Sequence, residues 1–151
     1  MLCRPSKPHE TTHSERRMPL INVLWISRHQ MTDPQEKDLQ RILGQPYQLL
    51  QYTDTVGKIA QILPELKWAH VICAVLPPEL CRQILLTVPG KPLLRSLSGR
   101  VPTGRMVSTP DGRQEQEFAF VHQGWEQILR MDIETRMLTA ASDAKITFSQ
   151  P

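Results

Sequence analysis

A chain of 151 residues, 40% hydrophobic and 22% charged, is long enough for one domain with a substantial core and needs no disulfide staples. Its three cysteines, Cys3, Cys73 and Cys81, form no Cys-x-x-Cys pair, and the two interior ones lie in apolar runs, which argues for buried thiols and against structural zinc or secretion. The formal charge is +3, but residues 1–17 carry Arg4, Lys7, Arg16 and Arg17 against Glu10 and Glu15, leaving about +1 for the remainder and no globally basic nucleic-acid binder.

The longest apolar stretches, Leu20 to Ile26 and Val71 to Pro78, fall far short of the ~18 to 20 residues of a membrane span, and no basic-then-apolar leader opens the chain. A soluble, cytoplasmic protein is expected. Residues 1–17 are polar and aperiodic and read as a disordered lead, from an upstream start codon or a cloning extension, with the functional protein beginning near Met18.

Leu20 to Ile26 is short, β-branched and almost continuously apolar, the pattern of a strand buried on both faces of a parallel sheet. After Ser27-Arg28-His29, Asp33 can cap a helix with Pro34 at its first position and Glu36 closing a capping box. Leu39, Ile42 and Leu43 share its inner face, and Gly44 ends it. Tyr47 to Tyr52 is a second strand. A second helix, capped by Asp54 or Thr55, places Val56, Ile59, Ala60 and Leu63 on one face, and Pro64 ends or kinks it.

His70 to Leu76 is a third strand, followed by a helix that Pro77-Pro78-Glu79 starts and Pro89-Gly90 stops, with Leu80, Ile84 and Leu85 inward. Lys91 to Leu97 is a fourth strand. Pro110-Asp111-Gly112 then turns a hairpin joining Gly104–Thr109 to Glu115–His122. Glu126 to Met137 reads as one more strand, and residues 138–151 as a weakly structured tail. Residues 18–137 thus predict a single α/β domain, a small Rossmann-like parallel sheet with a C-terminal antiparallel hairpin extension.

In such sheets ligands bind beyond the carboxyl ends of the strands, which selects Ser27, Arg28 and His29 after the first strand, and Ser96, Ser98, Arg100, Thr103 and Arg105 after the fourth. Between Lys91 and Arg113 five cations (Lys91, Arg95, Arg100, Arg105, Arg113) face one acid, Asp111. Arginine forks match phosphate oxygens, and glycines at 99 and 104 admit close backbone approach, so this segment is either a phosphate pocket or a solvated basic edge. His29 is either a general acid or base near neutral pH, or a loop-ordering residue. His70 opens a strand at the wrong edge for a site and reads as structural. His122, near Trp125, either covers the pocket or faces solvent. Gly-x-Gly-x-x-Gly, a Walker loop, a Gly-x-Ser-x-Gly elbow around Ser27, His-Glu-x-x-His and clustered carboxylates are all missing, so no cofactor or metal is expected.

Three segments carry a resemblance to a known family: Ser27-Arg28-His29 closing the first strand, His70-Val71-Ile72 to Leu76-Pro77 leading into a helix, and Arg100-Val101-Pro102-Thr103-Gly104-Arg105. Over roughly residues 20–105 the chain resembles the small CRISPR-associated ring nucleases of type III systems. It departs from them in His70, where an aspartate is expected, and in Gln51-Tyr52-Thr53-Asp54, where a histidine is expected. The resemblance implies a homodimer of an antiviral signalling pathway that binds a cyclic oligoadenylate messenger and cleaves it without metal. A ribose 2′-hydroxyl attacks the adjacent phosphorus, and a 2′,3′-cyclic phosphate remains. In that scheme His29 exchanges the proton and Arg28 and Arg105 hold the phosphate. Arg100 supports it, Ser27 and Ser98 fix oxygens, and Thr103 and Gly104 complete the phosphate loop. Two alternatives stand beside it: a non-catalytic nucleotide- or protein-binding module, and a nucleic-acid-binding accessory protein of a mobile element.

Overall fold

Alternating burial along three apolar strands divides the core into two clusters, one on each face of a five-stranded sheet. The computed structural model describes residues 19–140. Its elements are β1 (Ile21–Ile26), α1 (Asp33–Leu43), β2 (Tyr47–Tyr52), a 3₁₀ turn (Ile59–Ile62), α2 (Leu63–Trp68), β3 (Val71–Ala74), α3 (Pro78–Thr87), β4 (Leu93–Ser108) and β5 (Gln114–Gln127). Sheet order is β2-β1-β3-β4-β5, parallel from β2 to β4 and antiparallel between β4 and β5.

Val23, Trp25, Val71, Cys73 and Leu94 point to one face and pack on Leu39 of α1. Leu24, Ile26, Ile72, Ala74 and Leu93 point to the other, beneath Val56, Ile59, Ile62, Leu66, Cys81 and Ile84. This period of two across β1, β3 and β4 makes a three-layer α/β sandwich. The connection from β1 leads outward to β2, and that from β3 leads the opposite way to β4. The sheet therefore reverses its winding between β1 and β3, where such folds open a crevice.

Several boundaries differ from the sequence reading. Helix α1 is capped one residue earlier than expected. The Thr32 hydroxyl accepts from Gln35 N–H at 3.4 Å, and Gln35 Oε1 accepts from Thr32 N–H at 2.8 Å, closing the capping box that Asp33 and Glu36 were expected to form. Gly44 ends the helix in the left-handed region at φ 64°, where a side chain is disfavoured. Pro64 does not end a helix running from residue 55; it sits in the first turn of α2, where its missing N–H costs nothing. Strand β3 is shorter than expected, and β4 runs unbroken from Leu93 to Ser108.

The strand expected over Glu126–Met137 does not form. Strand β5 ends at Gln127, and residues 128–139 follow without regular structure. Ile128 donates its N–H to Leu93 O at 2.8 Å and is buried, but beyond it no neighbouring strand among the described residues remains for the alternating residues to pair with. The expected disordered lead lies outside the described residues, as does all but residues 138–140 of the expected tail.

Candidate functional site

At the reversal between β1 and β3, Ser27-Arg28-His29 leaves β1 beside Val75-Leu76-Pro77, which leaves β3. Ser27, Arg28 and Val75-Leu76-Pro77, together with Ile26, Asp54, Thr55 and Val56, line a crevice of about 220 Å³, and His29 is not part of that lining. The loop after β1 is fixed by its own backbone bonds. Ser27 N–H donates to Tyr52 O at 3.1 Å, and the Ser27 hydroxyl accepts from His29 N–H at 3.1 Å. His29 O accepts from Trp25 Nε1 at 2.8 Å and from Gln51 Nε2 at 3.1 Å. Ser27 is thus buried and spent on the turn, whereas Arg28 and His29 are exposed. Arg28 hydrogen-bonds the Thr55 hydroxyl across the crevice mouth.

The second group of expected site residues does not join the first. Ala74, the last residue of β3, stands level with Arg95, so Ser96 marks the edge of the parallel sheet. Arg105 lies nine residues further along β4, a separation of about 30 Å at ~3.3 Å per strand residue. Ser98, Arg100, Thr103, Gly104 and Arg105 stand along this projecting ribbon, not around the crevice. The expectation that all of them converge on one anion within a single chain is therefore corrected.

Most of the basic cluster is also engaged. Lys91 Nζ donates to Leu66 O at 2.7 Å and Lys67 O at 2.8 Å, closing the carboxyl end of α2. Arg95 pairs with Glu126, and Arg113 with Asp111 at 3.4 Å. The Arg100 guanidinium lies 4.0 Å from the Phe118 ring centroid. Thr103 donates to Glu117 Oε2 at 2.7 Å, and Gly104 adopts φ 80° where β4 shifts register between Pro102 and Met106. Threonine and glycine there shape a bulge. Among the acids of β5, Glu126 takes Arg95 and Glu117 takes the Thr103 hydroxyl.

A polar chain that the sequence reading missed links the base of this ribbon to α1. His122 Nε2 meets Asp38 Oδ2 at 2.9 Å, and His122 Nδ1 meets Ser96 Oγ at 3.0 Å. Gln35 Nε2 donates to the same Ser96 oxygen at 3.0 Å, and Gln35 O accepts from Trp125 Nε1 at 3.1 Å. The His122 side chain is 8% exposed, so it neither covers the crevice nor faces solvent. The hydrogen bond from His122, reinforced by Arg41, holds the Asp38 carboxyl below the usual carboxylate range. An ionised Asp38 can only accept, so His122 Nε2 carries the hydrogen of that bond. The signal in the sequence was the helical placement of Gln35 and Asp38 on one face of α1; nothing local to residue 122 announced their partner.

Cys73 and Cys81 are free and buried, as expected, and burial pushes the Cys73 thiol up to about 12. His70 Nδ1 accepts from Asn22 N–H at 2.9 Å, a structural role. Among the described residues no group of three or more His, Cys, Asp or Glu side chains is placed to hold a metal ion, and no helix is long and apolar enough to cross a membrane. Comparison with protein-family models, with curated proteins and with solved structures finds no match to this chain.

Proposed function

We propose that the crevice between β1 and β3 binds the phosphate backbone of a cyclic oligoadenylate, with Arg28 in its lining and the exposed His29 of the same loop reaching the ligand from outside it. One observation carries the reading. Two of the three segments that resemble ring nucleases, Ser27-Arg28-His29 and Val71 to Pro77, are brought side by side at the winding reversal, where an α/β sheet receives its ligand. Arg28 supplies a fixed cation at the mouth, and His29 supplies an exposed imidazole with no hydrogen bond to its ring among the described residues.

The crevice is smaller than the ~300 to 1,000 Å³ of typical ligand sites and holds about one phosphate with its sugar. A cyclic oligonucleotide must extend past it, so the reading calls for two copies related by a two-fold axis, each contributing one crevice. Cleavage would then proceed by in-line attack of a ribose 2′-hydroxyl on the neighbouring phosphorus. His29 takes the hydroxyl proton, Arg28 stabilises the phosphorane charge, and the departing 5′-oxygen takes a proton from water as the P–O5′ bond breaks.

Incubation of the full chain with labelled cyclic tri-, tetra- and hexa-adenylate tests this. Binding that is lost in Arg28→Ala, with turnover lost in His29→Ala, is the expected result. Retained but intact ligand makes the chain a binding module, and failure to bind any ring removes the reading.

The Ser96–His122–Asp38 chain favours a second reading, an esterase-like serine. Covalent labelling of Ser96 by a fluorophosphonate, lost in Asp38→Asn, would support it. Absence of labelling assigns the triad to structure alone.

A further inference from the structure

A second cavity opens at the carboxyl-terminal edge of the sheet, one strand along from the crevice. Val75 N–H donates to Ile26 O at 3.0 Å, so the chain leaving β3 stays on β1, whereas its pairing with β4 ends at Cys73 opposite Leu94. Strand β4 runs on without a neighbour on that side, and the gap beside it encloses about 160 Å³, the space of about five waters. Ala74, Leu76, Cys81, Ile128 and Met131 make the lining apolar, and Arg95 and Ser96 supply its polar groups. Neither is arranged for an anion. Arg95 is paired with Glu126, and the Ser96 hydroxyl is bonded to Gln35 and to His122. What Ser96 offers is its backbone. Leu93 O accepts from Ile128 N–H and Pro92 O accepts from Ile72 N–H, so the main-chain groups of Leu93 and Arg95 face β5 and those of Leu94 and Ser96 face the β3 side. With β3 ended, the Ser96 carbonyl is directed into the gap as an acceptor.

We infer that this cavity is the base subsite of the nucleotide whose phosphate the crevice takes, and that it selects a base carrying an amino group, adenine over hypoxanthine. The inference rests on the ligand reading of the crevice. Continuity links the two spaces, because Val75 and Leu76 line both. Successive gaps between strands lie ~4.8 Å apart, within the reach of a single nucleotide. A ligand passing from one to the other covers Val75, an apolar side chain that is otherwise 62% exposed. The polarity divides in the same way. Arg28 at the crevice bonds the neutral Thr55 hydroxyl and keeps its charge for a phosphate, whereas the cavity is apolar and its one cation is already answered. A planar base lies there against Leu76 and Met131, its exocyclic amine donates to the Ser96 carbonyl, and the N–H groups of Arg95 beyond Nε reach a ring nitrogen. Hypoxanthine sets a carbonyl where adenine has its amine, and two acceptors then face each other without a hydrogen.

Photolabelling of the full chain with 8-azidoadenosine 5′-monophosphate, followed by peptide mass spectrometry, tests the placement. Adducts on Cys81 or on residues 128–131 that excess adenosine 5′-monophosphate suppresses are the expected result. Adducts confined to residues 54–56, or none that the excess suppresses, overturn the inference. Selectivity is tested with the labelled cyclic adenylates and their inosine counterparts. The inosine rings should bind the wild type roughly tenfold more weakly or worse. Cys81→Phe, which extends a ring into the cavity, should weaken the adenylates by a similar factor; Met131→Ala, which removes one wall from a partly buried position, should weaken them where Cys81→Phe fails to fold by circular dichroism. Rings that bind through Arg28 yet ignore both substitutions and accept inosine equally overturn the base subsite and keep the ligand reading. A chain labelled at Cys81 or residues 128–131 that binds no ring keeps the base subsite and removes the cyclic ligand.

Discussion

Asp38 ties α1 to the arm that β4 and β5 form beyond Ser96, since its carboxylate accepts from His122 of β5 as well as from Arg41 of its own helix. Its depressed pKa has a defined consequence. A carboxyl that ionises more readily folded than unfolded contributes stability that is fully present above the ordinary carboxylate range. That stability is lost as pH falls from there through the lower folded value. Acid titration of the denaturation midpoint should therefore show a fall below pH ~4 that Asp38→Asn reduces. A wild-type and variant pair with parallel acid limbs would contradict the coupling. His122→Ala removes the hydrogen bonds that tie Asp38 to Ser96 through the imidazole, while Arg41 and Gln35 keep their bonds to the two, so a urea melt should show a lowered midpoint. An effect near zero would mean that α1 is held by its apolar face alone.

At the scale of elements, the capping of α1 separates what the chain announces from what it conceals. Asp33-Pro34-Gln35-Glu36 offers a valid cap, and only the backbone geometry decides that Thr32 and Gln35 form it. Thr32→Ala should cost about 1 kcal/mol and Asp33→Ala markedly less, measured as denaturation midpoints. Equal losses would return the cap to Asp33. Strands β1 and β2, the parallel sheet and its hairpin were legible because continuous apolar runs and Pro-Asp-Gly turns are local signals. The strand expected after Glu126 was misread because its alternation is real, while a strand also requires a neighbour with free backbone groups, which no local window supplies. The site divides in the same way. Ser27-Arg28-His29 was readable from its place after β1. His122, Asp38 and Gln35 lie 84 residues apart at the widest hydrogen bond between them, and only the sheet order brings them together.

On the scale of the whole molecule, the two core clusters and the arm are energetically separable. Neither cluster contains a residue between Arg95 and Gly124; the sheet contributes Leu93 and Leu94 from β4, and Trp125 and Ile128 from the return. Hydrophobic burial scales with the apolar area removed from water, so a ribbon whose Val101, Val107, Phe120 and Val121 stay exposed adds little to the stability of one chain. Joining Ser98 to His122 through Asn-Gly replaces residues 99–121 with a two-residue turn suited to the strand twist and retains the Ser96–His122–Asp38 chain. The shortened protein should unfold cooperatively at nearly the wild-type midpoint when both are compared as dilute monomers. A midpoint that collapses on removal of residues 99–121 would make the arm part of the folding core.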